Sequence, residues 1–325
     1  MTYYFCTYFD HSFLTNGLAL YQSLRQYCSA FKLWVLCLDA EAYTVLSRLN
    51  LPEVQLVAIE DFERGDAALL KAKQNRSLVE YYFTCTPSLP LFVLRRHHEV
   101  DLITYVDADL FFFADPEPLY AEMEEKSIAI IGHHFSARLR HLEGYGVYNV
   151  GWLSFRRDKY GMSCLEWWRE RCLEWCYGRF EMGRYADQKY LDEWPQRFEQ
   201  VAVLDHKGAN LAPYNLANYK LQFIKGKIYV EGQPLIFYHF HALKQMKKWL
   251  FDSNLASYKV FNCGLLRKHI YAPYIRTILD ASPRPDIKGL RVFRPRISRV
   301  KEILRITKRL LMRNYIFVLN GKLLQ

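Results

Sequence analysis

The sequence lacks the features that mark secreted, membrane-spanning or disulfide-linked proteins. None of its eight cysteines forms a CxxC pair, and most lie in apolar runs, which favours buried free thiols in a reducing compartment. The first residues lack the charged segment and cleavage site of a signal peptide. The longest apolar runs are too short for a transmembrane helix. We therefore expect a cytoplasmic protein, either free or peripheral on the inner face of the membrane.

The composition excludes a largely disordered chain and leaves room for one large α/β domain or two small ones. Apolar residues make up 51% of the 325 residues, which is enough for a sizeable core. The formal charge of +10 is uneven, because residues 284–325 contain twelve Lys or Arg against two acids and carry all of it. The neutral body gives no reason to expect nucleic-acid binding, whereas the tail favours an anionic partner.

The basic tail follows a break in composition at residues 282–285, so we predict domains at residues 1–282 and 283–325. Apolar residues recur between Ile297 and Leu319 with Arg and Lys between them, which predicts a basic amphipathic helix. Such helices lie on anionic lipid surfaces. A solvated helix folded back on the body, or an RNA-binding tail, remains an alternative for this segment.

Strand-like and helix-like segments alternate along the first part of the chain, and this order is typical of a doubly wound α/β fold with a parallel sheet. The predicted strands are Tyr3–Tyr8, Lys32–Leu38, Val54–Ile59, Asp101–Val106, Ser127–Ile131, Tyr148–Phe155, Val201–Leu204 and Leu235–Phe240. The predicted helices are Thr15–Tyr27, Glu41–Leu49, Arg76–Arg96, Cys164–Tyr177 and Ala186–Trp194.

Two carboxylates, Asp107 and Asp109, follow the buried strand that ends at Val106. Ligands of open α/β sheets bind beyond the carboxyl ends of strands. Two carboxylates that lie close together there repel each other unless a cation lies between them. Mg²⁺ and Mn²⁺ take one or two carboxylates and complete their shell with substrate phosphates. The pair therefore predicts a metal site for a diphosphate, although a helix cap or solvated turn would also explain it.

A second group of polar residues, His239, His241 and Lys244, follows the late strand. Imidazole is a good ligand for Mn²⁺. Residues 239 and 241 alternate faces along a strand, so one histidine is expected to reach the metal, and we favour His239 with His241 as the alternative. Lys244 is a candidate for neutralising phosphate charge. A buried core histidine and a solvated lysine would explain the same residues.

Two weaker signals lie between these groups. Gly151 within a predicted strand indicates the close approach of a ligand or another backbone, and Asn149 stands two residues before it. Asp187 and Gln188 open a predicted short helix, where the acid would also serve as a simple cap.

Taken in order, these motifs resemble the family-eight retaining glycosyltransferases, which include glycogenin and bacterial lipopolysaccharide galactosyltransferases. The resemblance implies a single Rossmann-like GT-A domain with a mixed, mainly parallel central sheet and helices on both faces, followed by a basic helical tail. It also implies transfer of a sugar, with retention, from a nucleotide-diphosphate donor to a glycan or lipid-linked acceptor in cell-surface polysaccharide or lipopolysaccharide synthesis. A UDP-sugar is the favoured donor, and Mn²⁺ or Mg²⁺ is the expected cofactor.

The same resemblance assigns roles to individual residues. It implies metal ligation by Asp107, Asp109 and His239, and catalysis by Asp187 and Gln188. It further implies donor binding by seven residues: Thr7, Asp10, Arg76, Asp107, Asn149, Gly151 and Lys244. The sequence departs from the family at Ala242, where glycine is usual, and Lys244 stands one residue earlier than the family's lysine.

Three other functions share parts of this pattern. An aspartyl-phosphate phosphatase also places two Asp after a strand, but Phe111 stands where Thr or Val is expected. A sugar nucleotidyltransferase carries a glycine-rich basic loop after its first strand, and residues 8–16 contain no Gly, Lys or Arg. A non-catalytic sugar-nucleotide-binding or membrane-scaffold relative remains the alternative to an enzyme.

Overall fold

The structure is a computed structural model that describes residues 2–281, 307–319 and 322–323. Its strands are β1 Tyr3–Phe9, β2 Phe31–Cys37, β3 Val54–Ala58, β4 Leu102–Val106, β5 Leu110–Phe112, β6 Ile128–Gly132, β7 Tyr148–Arg156, β8 Val201–Leu204, β9 Leu221–Ile224, β10 Lys227–Val230, β11 Gln233–Pro234, β12 Phe237–His239, β13 Lys244–Lys247, β14 Leu250–Asp252, β15 Tyr315–Leu319 and β16 Lys322–Leu323. Its α-helices are α1 Leu14–Tyr27, α2 Ala40–Leu49, α3 Ile59–Glu63, α4 Ala67–Gln74, α5 Leu78–Arg96, α6 Glu117–Met123, α7 Lys159–Glu174, α8 Trp194–Arg197 and α9 Ala272–Ala281.

Side-chain caps fix where the main helices begin. Asp39 accepts a hydrogen bond from the Ala42 amide at the start of α2, and Asp158 accepts bonds from two amides at the start of α7. Helix α5 starts with a capping box in which Ser77 and Glu80 bond to each other's backbone amides. These caps bond to amides that have no partner within their helix, and they therefore fix the residue at which each helix starts.

The central sheet has seven strands in the order β3-β2-β1-β4-β7-β6-β8. Four neighbouring pairs are parallel, and β7 runs antiparallel to β4 and β6 between them. This arrangement confirms the predicted mixed, mainly parallel α/β architecture. Because β1, β2 and β4 are parallel, the residues that follow each of them meet at one edge of the sheet.

Apolar clusters cover both faces of this sheet. One cluster joins the sheet to α5 and α7, and the other joins it to α1, α2 and α6. Seven of the eight cysteines are buried and all eight are free thiols, as predicted, while Cys263 is exposed. Among the described residues, no helix is both long enough and apolar enough to cross a bilayer.

Three small sheets lie beside the central one, and the apolar patterns of the sequence predicted little of them. Strand β5 pairs antiparallel with β12, strands β9 to β11 form a meander, and β13 to β16 form a four-stranded sheet. A third apolar cluster joins β5, β12, β14, β15 and α9.

The prediction of an amphipathic helix over Ile297–Leu319 is wrong for the last residues of this range. Residues 307–311 are helical, but Tyr315–Leu319 form β15, which pairs antiparallel with β14. The alternation of buried and exposed side chains explains why this segment is a strand and not a helix. Ile316 and Val318 are buried while Tyr315 and Phe317 are partly exposed, which is the two-residue period of a strand. The part of the predicted helix before residue 307 lies outside the described residues.

Candidate active site

The two carboxylates of the predicted metal site lie directly after β4, at the carboxyl edge of the parallel strands. The Asp107 amide donates to the Gly151 carbonyl of β7 at 3.2 Å, and the Tyr105 hydroxyl donates to Asp107 Oδ1 at 2.9 Å. The Leu110 amide then donates to the Asp107 carbonyl at 3.1 Å, which closes a turn between β4 and β5. The turn holds Asp107 and Asp109 side by side.

His239 reaches the same point from a distant part of the chain. Strand β12 pairs with β5 in a register that places His239 opposite Leu110, next to the acidic turn. His239 Nε2 lies 3.1 Å from Asp109 Oδ1 and 3.7 Å from Asp107 Oδ2. The histidine side chain is 4% exposed, whereas those of Asp107 and Asp109 are 30% and 19% exposed. The group is therefore buried on the histidine side and open on the carboxylate side.

The charges of these three groups depend on each other. Burial raises the pKa of Asp107 to about 6, with the charge of Asp109 adding to the effect and that of His239 opposing it. Burial alone would raise the pKa of Asp109 too, but the charge and hydrogen bond of His239 lower it below its usual value. The pKa of His239 is raised because the two carboxylates outweigh its own burial.

The donor set of this group fits a divalent cation. One ligand atom from each of Asp107, Asp109 and His239 lies within 4.8 Å of the other two. Two carboxylate oxygens and one imidazole nitrogen suit Mn²⁺, and the open carboxylate side leaves room for ligands from a substrate. His241 does not belong to the group that the described residues form, which favours the first of the two predicted histidines.

Gly151 lies against two of the three side chains of the metal site and against the side chain of Asn149. A Cβ at this position would meet Asn149 Oδ1 at 2.5 Å, Asp107 Oδ2 at 3.2 Å and His239 Cε1 at 3.2 Å. The groups that lie close to Gly151 are thus side chains of the site, whereas the sequence predicted a ligand or another backbone, and a contact of Gly151 with a donor stays a prediction.

Asn149 is held in place by His133, a residue that the sequence patterns did not identify. The Asn149 amide nitrogen lies 3.0 Å from His133 Nε2, and Asn149 Oδ1 accepts from the Gly151 amide at 2.8 Å. Burial lowers the pKa of His133 to about 3, so the ring is neutral and can accept from Asn149. No spacing in the sequence links residue 133 to residue 149, because the link depends on the pairing of β6 with β7.

The other ring nitrogen of His239 faces Tyr214. Tyr214 donates from its hydroxyl to Asn210 Oδ1 at 2.9 Å, and its oxygen lies 3.5 Å from His239 Nδ1. A proton on Nδ1 would point at this oxygen and leave Nε2 free for a cation, which is the usual arrangement of a metal-binding histidine. Neither Tyr214 nor Asn210 was predicted from the sequence.

Asp187 and Gln188 lie between α7 and α8. Asp187 is 5% exposed, and its backbone carbonyl accepts from the Trp168 indole at 2.8 Å. Burial raises the pKa of Asp187 to about 7, a hydrogen bond from Thr86 opposes this shift, and the charge of Asp107 adds to it. The Gln188 side chain donates to the Tyr145 carbonyl at 3.1 Å. Asp187 therefore lies within electrostatic range of the predicted metal ligand Asp107.

Thr7 and Asp10 lie at the carboxyl end of β1, as predicted. The Thr7 hydroxyl is fully buried and has no hydrogen-bond partner among the described residues. Asp10 caps a short 3-10 helix by accepting from the Ser12 amide at 3.0 Å and hydroxyl at 2.6 Å. These hydrogen bonds give Asp10 a structural role. A contact of Asp10 with the donor stays a prediction.

Arg76 lies at the end of α7. Its guanidinium donates to the carbonyls of Cys172 and Leu173 at 2.9 Å each and to the Cys176 carbonyl at 3.3 Å, at the end of α7. A cation at the carboxyl end of a helix complements the helix dipole, so these contacts account for Arg76 without a donor. A contact of Arg76 with the donor stays a prediction.

Lys244 is exposed at the start of β13, after a turn in which the Leu243 amide donates to the Phe240 carbonyl at 3.0 Å. Ala242 within this turn has a φ of 63°, the left-handed conformation that favours glycine. The family's glycine at this position is thus explained by backbone geometry that the chain keeps. A phosphate contact of Lys244 stays a prediction.

Comparison with solved structures identifies the fold as that of a GT-A glycosyltransferase. WbbM, a bifunctional glycosyltransferase solved in its apo form, matches 85% of this chain with a TM-score of 0.50 and 15% sequence identity. The matched region spans 49% of the WbbM chain, so the chain corresponds to about half of that protein. The fold that the sequence resemblance implied is therefore confirmed.

Two curated relatives define the family more closely. The uncharacterized proteins YfnD and YfnF of Bacillus subtilis strain 168 are 33% identical over 277 residues and 35% identical over 252 residues. The matches cover 84% and 75% of this chain, and 88% and 82% of the relatives. The chain therefore belongs to the family that contains YfnD and YfnF. No protein-family model matches it.

Proposed function

We propose that the chain is a metal-dependent glycosyltransferase that takes its sugar from a nucleotide-diphosphate donor. The convergence of Asp107, Asp109 and His239 at the carboxyl edge of the parallel strands carries this proposal. The three side chains come from two segments that are 130 residues apart in sequence, and they offer the donor atoms that Mn²⁺ prefers. Asp107 and Asp109 are the more exposed members of the group, so a diphosphate would approach from their side.

Each residue of the proposed site has a part in the transfer. A bound cation would neutralise the charge that develops on the departing nucleoside diphosphate. Asp187 faces the oxocarbenium-like sugar, and Gln188 orients that sugar. Asn149 and the backbone of Gly151, which has no side chain, line the surface that contacts the sugar. The bond between the anomeric carbon and the phosphate oxygen breaks, and an acceptor hydroxyl oxygen forms the new bond to that carbon.

The finer features of the function rest on the family resemblance. We propose transfer with retention, a UDP-sugar donor with Mn²⁺ or Mg²⁺, and a glycan or lipid-linked acceptor of a cell-surface polysaccharide or lipopolysaccharide. Thr7, Asp10 and Lys244 are proposed donor contacts. We propose a body of residues 1–282 followed by a basic segment of residues 283–325 whose strand β15 packs against that body, and we propose that the basic segment docks on the inner face of the membrane.

Release of nucleoside diphosphate from a panel of nucleotide sugars tests the proposed activity. We expect the protein to turn over one or more UDP-sugars with Mn²⁺ and to lose turnover when the metal is chelated. Asp109→Asn removes a charged ligand, and we expect it to lose both Mn²⁺ binding, measured by calorimetry, and turnover.

Asp101→Asn is a matched control, because Asp101 precedes the same strand at its opposite end and its side chain is 93% exposed. This variant should behave as the unmodified protein does. Full turnover of Asp109→Asn, or the absence of turnover and of binding with every nucleotide sugar tested, would overturn the proposal.

A further inference from the structure

Strand β13 carries Lys244, a proposed donor contact, yet its own side chains do not anchor it. All four side chains of the strand are exposed, so none of them packs into a core. The turn before the strand is attached to the metal site, because the Phe240 amide donates to the Asp109 carbonyl at 3.0 Å. Beyond that turn, the position of Lys244 depends on the backbone pairing of β13 with β14.

This pairing continues through β14 into the C-terminal segment. Asp252 of β14 stands opposite Lys244 of β13 on one side and opposite Tyr315 of β15 on the other. One row of paired residues therefore joins the proposed donor contact to the C-terminal segment. The next pair of the two inner strands, Phe251 and Ile316, is buried in the third apolar cluster, so β14 and β15 have the anchorage that β13 lacks.

The side chain of Asp252 is held from the C-terminal segment. Its carboxylate is 3% exposed and forms an ion pair with the Arg309 guanidinium, and the Asn314 side-chain amide donates to the other carboxylate oxygen. Arg309 also donates to Asn254 Oδ1 at 2.9 Å, and the Asn254 amide donates to Asp252 Oδ1 at 2.9 Å. A buried carboxylate needs such partners, so residues of the C-terminal segment determine where Asp252 lies.

We propose that Arg309 and Asn314 are positioning residues that hold Lys244 at the diphosphate of the donor, by way of Asp252 and the pairing of β13 with β14. Without Arg309, a buried carboxylate loses its counter-ion, and β14 must shift to bring that carboxylate to water. Strand β13 follows, because it has no packed side chain to resist the shift. The inference rests on the proposed function for the role of Lys244 and on the structure alone for the order of contacts.

Binding of UDP and GDP in the presence of Mn²⁺, measured by calorimetry, tests the positioning role. Arg309→Gln removes the counter-ion of Asp252, and we expect the dissociation constant of the nucleotide that binds to rise about tenfold. Arg309→Lys keeps a positive charge beside Asp252 and should recover most of the affinity. In a Lys244→Ala background, which has already lost the phosphate contact, Arg309→Gln should cause no further loss of affinity.

A second partly buried ion pair supplies the matched control. The side chain of Arg169 is 19% exposed and pairs with Asp66, much as that of Arg309 is 20% exposed and pairs with Asp252. Arg169 lies on α7 and also donates to Ser88 Oγ of α5 at 3.1 Å, in a different part of the fold. We expect Arg169→Gln to lower the thermal midpoint as Arg309→Gln does and to leave nucleotide binding unchanged.

Hydrogen exchange tests the structural step without any nucleotide. We expect the amides of residues 244–247 to exchange about tenfold faster in the Arg309→Gln variant than in the unmodified protein or in Arg169→Gln. Equal exchange rates, or the same loss of nucleotide affinity with and without Lys244, would refute the positioning role. If the unmodified protein binds neither nucleotide, the proposed function and the role of Lys244 are wrong, and the exchange rates still decide whether Arg309 holds β13.

Discussion

The packing around Gly151 makes this residue the most sensitive backbone position of the candidate site. A methyl group there would meet the side chains of Asn149, Asp107 and His239 at 2.5 to 3.2 Å. Because these neighbours are themselves hydrogen-bonded, none of them can move without displacing a proposed ligand. We predict that Gly151→Ala lowers turnover about 100-fold, as a shift of about 1 Å in catalytic groups does, and weakens Mn²⁺ binding in calorimetry.

Gly264→Ala serves as the control for this change, since a Cβ at residue 264 would meet no atom within 4 Å. It should leave turnover and the thermal midpoint unchanged. If the Gly151→Ala variant bound Mn²⁺ with the affinity of the unmodified protein, the proposed packing of Gly151 against the metal site would be wrong.

At the scale of single residues, the sequence predicted groups with distinctive chemistry and missed those that support them. Asp107, Asp109 and His239 were identifiable because two carboxylates after a buried strand repel each other and so indicate a cation. His133 and Tyr214 were not, since a histidine or tyrosine in an aromatic-rich chain has no signature. Arg76 shows a structural role that the sequence did not indicate, because it bonds to carbonyls at the end of a helix.

At the scale of elements, turn geometry held information that the apolar patterns did not use. The two loops that join β9, β10 and β11 are two residues long, and each consists of a charged residue followed by glycine. Lys225 and Gly226 have φ values of 47° and 83°, and Glu231 and Gly232 have values of 48° and 83°. Positive φ at both positions is the hairpin geometry that glycine permits. The meander was therefore predictable, whereas the pairing of β5 with β12 joins segments too distant for any local pattern.

Strand β15 packs the C-terminal segment against the body of the protein, a structural role that the basic composition of this segment does not indicate. Ile316 is fully buried in the cluster beneath β14, and the buried Asp252 carboxylate pairs with Arg309. Asn314 is also buried and accepts from the Ala256 amide at 2.8 Å. Residues 307–319 thus complete the body of the protein, and truncation of the chain at residue 282 would expose part of its core.

Substitution of one residue in this strand measures its contribution to stability. We predict that Ile316→Ala lowers the free energy of unfolding by about 2 to 5 kcal/mol, because it leaves a cavity in a packed cluster. Leu311→Ala, in the same segment but at a residue that is 74% exposed, should change it by about 0.5 kcal/mol or less. Urea denaturation followed by tryptophan fluorescence checks both, and equal effects would contradict the packing of β15.

At the scale of the whole molecule, the order of the central sheet explains why the site was predictable as a group. Parallel β1 and β4 bring their carboxyl ends together, so Asp107 and Asp109, which were expected beyond a buried strand, lie at the same edge as Thr7 and Asp10, which the family resemblance indicated. The antiparallel insertion of β7 adds Asn149 and Gly151 to the same region. No local pattern predicts that insertion, and here the family resemblance supplied what physical reasoning from one sequence lacked.

Charge is also organised at this scale, because residues 284–325 carry the whole formal charge of +10 and the remainder is neutral. We predict that the protein binds vesicles rich in phosphatidylglycerol, does not bind phosphatidylcholine vesicles, and dissociates at high salt. Replacing Arg294, Arg296, Arg299 and Lys301 by Gln should weaken flotation with the anionic vesicles on the order of 100-fold or more, at about 1 kcal/mol for each charge.

The matched control for this experiment removes the same number of positive charges from the body. Arg48, Lys71, Lys225 and Lys259 are exposed there, and their replacement by Gln gives the same net charge. If attraction depends on the net charge of the molecule, both variants will bind vesicles equally weakly. If the basic segment itself contacts the lipid, as we propose, the body variant will float as the unmodified protein does, because screening confines the attraction to charges within about 10 Å of the surface.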